Sequence, residues 1–138
     1  MSTRSRIGIQ LSDESILSVY HHWDGYPSGV GVELKEHYTT KESVSDLING
    51  GNMSSCWTME RWDDEDNQEY GPMYYTQRGE SIEETQPRHD TDLNEYLSDG
   101  EEYAYLFVND EWVCYKMNTY ASKLPTEIVE IPQAVTVE

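Results

Sequence analysis

Positive charge is scarce in this chain. Nine Lys and Arg stand against 27 Asp and Glu in 138 residues, a net charge of −18. Phosphate backbones and anionic membrane surfaces attract basic proteins, so this balance excludes direct nucleic-acid binding and adhesion to such membranes. Cysteine is scarce too: Cys56 and Cys114 are too few for a disulfide framework. No apolar run approaches transmembrane length. The opening Met-Ser-Thr-Arg-Ser-Arg lacks the pattern of a secretion signal and runs straight into a strand pattern. Together these absences predict a cytoplasmic protein with reduced thiols. Phenylalanine occurs once, whereas Tyr occurs eleven times and Trp four times. The apolar payload therefore comes largely from rings with polar handles, which suit half-buried sheet faces and binding surfaces.

The acidity is uneven. Residues 60–111 hold seventeen acidic and three basic residues, a balance of −14, against −3 for residues 1–59 and −1 for residues 112–138. Asp63, Asp64, Glu65 and Asp66 form the densest run and predict an exposed acidic surface. Such a surface suits solubility, a basic protein partner or mimicry of a polyanion.

Alternation predicts strands at Arg4 to Leu11 and Ser15 to His21, joined as a hairpin, and at Glu102 to Val108 and Glu111 to Met117, joined through Asn109-Asp110. Pro27-Ser28 opens a helix whose Val30, Leu34 and Tyr38 share one face. Thr40 caps a second helix, Lys41 to Ile48, that ends at Asn49-Gly50-Gly51-Asn52. Met53 to Met59 fits no single pattern, Met73 to Gln77 reads as a strand, Glu83 to Thr91 as a loop and Asp92 to Leu97 as a short helix. Hairpins without a βαβ rhythm predict an α+β fold. The expected sheet is antiparallel, made of two hairpins plus one extra strand, with two or three short helices on one face. Residues 1–117 form one domain, and 118–138 a tail or an edge strand.

One segment is built for recognition: His21-His22-Trp23-Asp24-Gly25-Tyr26-Pro27-Ser28-Gly29-Val30-Gly31, between a strand and a helix. Rigid elements hold such loops while their backbone stays free to bond outward. Trp23 and Tyr26 can stack on a ligand, and the glycines allow close backbone approach. The spacing matches no Walker or Rossmann fingerprint. Adjacent His21 and His22 point to opposite faces of a strand, so only one can join Asp24, and we expect no metal and no cofactor. The geometry predicts Tyr20, Trp23 and Tyr26 clustered at one end of the sheet, with His22 or Arg78 near the Asp24 carboxylate. A loop that merely plugs the core end fits the same residues. Cys56 has no evident base beside it in the sequence.

The blocks Arg4-Ser5-Arg6-Ile7-Gly8-Ile9, Tyr20 to Gly31, His37-Tyr38, Arg78-Gly79-Glu80 and Glu102 to Phe107 resemble a family of small phage and prophage proteins with an HWDGYP-type loop. The resemblance implies a viral origin and an accessory role in the cytoplasm of an infected bacterium. The expected partner is a host bacterial protein of defence or nucleic-acid handling. His22, Trp23, Asp24, Gly25, Tyr26, Arg78 and Glu80 are the expected contact residues. The alternative is a nucleotide-like small molecule, bound or hydrolysed at His22, Trp23 and Asp24 with Arg78 on its phosphate. A homodimer stays open.

Overall fold

A computed structural model describes residues 3–58, 71–97, 102–116 and 127–132, with the side chains of Thr58 and Arg78 outside that set. In chain order the elements are β1 (Ser5–Gln10), β2 (Ile16–His21), a π-helical turn (Pro27–Gly31) that runs into α1 (Val32–His37), and α2 (Lys41–Asn49). Then come β3 (Met53–Thr58), β4 (Gly71–Tyr74), a 3-10 turn (Tyr75–Arg78), α3 (Ile82–Thr85), β5 (Arg88–Asp90) and α4 (Leu93–Tyr96). β6 (Tyr103–Val108), β7 (Glu111–Lys116) and β8 (Glu127–Val129) complete the described chain.

The fold is α+β. Both predicted hairpins form, β1 with β2 and β6 with β7, and they share one sheet ordered β4-β3-β2-β1-β6-β7-β8. Asn109 and Asp110 turn the second hairpin with φ of 52° and 61°. These are left-handed values that Asn and Asp tolerate better than other side chains. The sheet is mixed, however, because β1 and β6 run parallel from Ser5↔Tyr103 to Ile9↔Phe107. Alternation decides which face a side chain meets but not the direction of the neighbouring strand. The sheet also has more than one extra strand. β3 falls in the segment that fitted no pattern, and β5 in a segment expected to be loop. The strand expected at Met73 to Gln77 sits at Gly71–Tyr74, where the chain turns into the 3-10 segment.

The larger core lies on one face of the sheet. Ile7, Ile9, Val19, Tyr105 and Phe107 meet Val30, Leu34, Val44, Leu47 and Ile48 from the helices. α2 starts as its sequence dictates: Ser43 N–H donates to Thr40 Oγ1 and Thr40 N–H to Ser43 Oγ, both at 3.1 Å. The helices do not share that face. α4 packs on the other side, where Tyr96 lies over Ile16, Ala104 and Leu106 and donates its hydroxyl to Tyr105 O at 2.6 Å. The reason is in β6, whose two alternating sets are both apolar, so both faces need cover.

The outer edge of β2 is divided. β5 pairs with Ile16, Leu17 and Ser18, while β3 meets β2 only at His21↔Met53. Between them, Tyr20 N–H donates to Asn52 Oδ1 at 2.9 Å. At the opposite edge, β8 pairs with β7 from Cys114↔Val129 to Lys116↔Glu127. Among the described residues, no helix is long and apolar enough to cross a membrane.

Candidate functional site

The loop after β2 is fixed by its backbone. His22 N–H donates to Met53 O at 3.2 Å and Trp23 N–H to Ser54 O at 2.9 Å, so the chain first follows β3. Asp24 then reverses it with a φ of 52°. Gly25 N–H donates to Thr3 O at 2.9 Å, and Tyr105 in β6 donates its hydroxyl to Gly25 O at 2.7 Å. A Cβ on Gly25 would lie 2.7 Å from Thr3 O and 2.9 Å from Ser5 Oγ, so only glycine fits between β1 and the loop. Val30 N–H closes the segment on Asp24 O at 2.8 Å. A Cβ on Gly29 would collide with that same carbonyl at 2.5 Å.

The side chains on top divide into two groups. Tyr20 Oη and His22 Nδ1 share a hydrogen bond of 2.7 Å, and the Trp23 ring meets His22 edge to face at 4.8 Å. Separately, Tyr26 donates its hydroxyl to Asp24 Oδ1 at 3.1 Å. The expected approach of His22 to the Asp24 carboxylate therefore does not form. The Arg78 side chain and all of Asp63, Asp64, Glu65 and Asp66 lie outside the described residues. Glu80 is exposed and apart from these bonds, with its N–H on Tyr75 O at 3.3 Å. Trp23 is 52% exposed and Tyr26 38%, large values for rings this size. The Trp23 indole N–H makes no hydrogen bond among the described residues.

Beneath the loop is a buried polar floor that the sequence did not reveal as one unit. His21 Nε2 accepts from Cys56 N–H at 2.9 Å across the thin β2–β3 seam. The proton must then sit on Nδ1. That atom and Ser5 Oγ, on the register partner of His21, are buried without a hydrogen-bond partner among the described residues. Burial, with the neighbouring His22, pushes the His21 imidazole down to about 3. Glu33, in the first turn of α1, accepts from Cys56 Sγ at 3.6 Å. Its carboxyl is raised by burial and by the Asp24 charge, against the lowering effect of the Cys56 bond. Burial and then Glu33 push the Cys56 thiol well up, so it stays protonated. Tyr38 donates to Cys56 O at 2.7 Å.

Chemically, His21 and Cys56 are spent on holding the loop. A protonated, buried thiol is no nucleophile, and an imidazole bonded to a backbone N–H is no base for one. Among the described residues, no group of three His, Cys, Asp or Glu side chains gathers as a metal site. The top of the loop is instead a rigid platform of exposed rings beside two carboxylates, Asp24 and Glu33. Glu33 lies one helical turn past Gly29, and that spacing is the signal that could have added it to the candidates. No family model, curated protein or solved structure matches this chain, so the site is read from its own chemistry.

Proposed function

We propose that this chain is a non-enzymatic accessory protein of a phage that binds and inhibits a basic protein of its bacterial host. The viral setting follows the sequence resemblance. The observation that carries the binding role is Trp23. It stands half exposed, with its indole N–H unbonded among the described residues, on a loop whose backbone is tied to Thr3, β3 and β6. An amphipathic ring that loses little entropy on docking is the commonest anchor of a protein interface. The net charge of −18 steers a basic partner toward it and repels acidic competitors. The two carboxylates beside the rings favour a cationic contact over a phosphate, which sets the partner reading above the nucleotide-like one.

The test is affinity capture from lysate of the bacterial host with wild type and Trp23→Ala side by side. A partner held by wild type, released by high salt and missed by Trp23→Ala supports the reading, and its activity should fall as wild type is titrated in. A partner held equally by both proteins, or an activity that does not fall, overturns it.

A further inference from the structure

The edge of the sheet far from the loop carries a second concave site. The β7–β8 ladder stops at Cys114↔Val129, and the chain then leaves β7 as Glu130, Ile131 and Pro132. The space between them, closed by α1, is a groove of about 480 Å³. That lies within the range of about 300–1,000 Å³ typical of small-molecule sites. Its floor is apolar, with Phe107, Trp112, Cys114 and Ile131.

The groove is preformed. Trp112 Nε1–H donates to Tyr38 O at 2.8 Å, and its ring packs against Phe107 at 5.2 Å. Lys35 Nζ donates to Ile131 O at 3.3 Å, which pins the far wall. Three exposed carboxylates, Asp110, Glu111 and Glu130, stand at the rim, and none has an ion-pair partner among the described residues. Among the described residues, the one cation that lines the groove, Lys35, already donates to a carbonyl.

We propose that this groove binds a small amphipathic amine, with its ring or aliphatic body on Trp112 and Ile131 and its ammonium among the rim carboxylates. The apolar floor asks for a ring or aliphatic body, and the rim asks for positive charge. An anionic ligand would pay to enter. The site does not depend on the loop or on the partner proposed for it.

The experiment is an amide and indole NMR titration of the full chain with phenethylamine. Three controls run beside it: tetramethylammonium has the charge without the body, benzyl alcohol the body without the charge, and phenylacetate the body with the opposite charge. Phenethylamine should saturate shifts at the Trp112 indole and at Glu111 to Cys114 and Val129 to Ile131, about tenfold more tightly than either uncharged or anionic ring, equivalent to about 1.4 kcal/mol. Glu111→Gln combined with Glu130→Gln, both on the exposed rim, should weaken the amine about tenfold and leave benzyl alcohol unchanged. Three results overturn the proposal. Shifts that are alike for tetramethylammonium and phenethylamine would mean an ion atmosphere only. Equal binding of the three ring probes would mean a plain apolar cleft. No shift at the groove with any probe would mean no site.

Discussion

Neighbouring histidines on one strand end have opposite fates. His21 is buried, bonded to the backbone of another strand and held neutral, while His22 is part of an aromatic chain that leads out to Trp23. The same division separates the whole floor of the loop from its top. Below, His21, Ser5, Cys56 and Tyr105 belong to the core, and His21, Cys56 and Tyr105 bond across elements. Above, the side chains of Trp23, Asp24 and Tyr26 bond only to neighbours in the loop or to nothing among the described residues. The difference teaches where to look for function: the shape of this loop is maintained from beneath, so the residues on top are free to be chosen for recognition.

The strongest way to break that comparison is acid. The folded pKa of His21, about 3, lies below its ordinary 6.5, so the unfolded chain takes up the proton first. The stability this residue contributes is intact above about pH 6.5 and is lost as pH falls toward 3, a change on the order of 5 kcal/mol. His21→Gln keeps an acceptor for Cys56 N–H without titrating there, so urea unfolding across that window should show a shallower pH slope than wild type. Equal slopes would remove His21 from the floor. Next comes Tyr105→Phe, which deletes the donor to Gly25 O and should cost about 1–3 kcal/mol for the carbonyl left buried. Amide exchange should quicken at Gly25 and Val30. An unchanged melting temperature with unchanged exchange would show that the loop stands without β6.

Smaller effects sharpen the comparison from above. Asp24 holds a φ of 52°, so Asp24→Ala should cost about 1 kcal/mol and Asp24→Gly almost nothing. If both variants lose partner binding, the carboxylate itself is a contact. If only the alanine variant does, the turn is what matters. Trp23→Ala should change stability by no more than about 0.5 kcal/mol, as surface substitutions do. The same change should weaken the partner complex by about 2 kcal/mol or more. A Trp23→Ala protein that melts several degrees lower would place that ring in the core after all.

Much of this arrangement is legible in the chain itself. The two hairpins, the capped helix from Thr40 and the inward Leu93 and Tyr96 all follow from local pattern and turn chemistry. So does the reversal at Asp24-Gly25. What pattern cannot carry is contact between distant segments. The parallel β1–β6 seam, the placing of α4 on the far face and the three-residue strand β5 all depend on neighbours found only after folding. The floor of the site was missed for the same reason. His21 and Cys56 are 35 residues apart, and nothing local announces that an imidazole will accept a backbone N–H from β3.

The central seam also sets the order in which the protein can be made. β1 is made well before β6, yet β6 is one of its two neighbours, and their first pair joins Ser5 to Tyr103. Until that later strand emerges, the β1–β2 hairpin has an open inner edge and no Tyr105 hydroxyl to donate to Gly25 O. Pairings so distant in sequence close slowly, on a millisecond-to-second scale for comparable topologies. The loop after β2 is thus made before the strand that supports it and sets only once that strand has arrived.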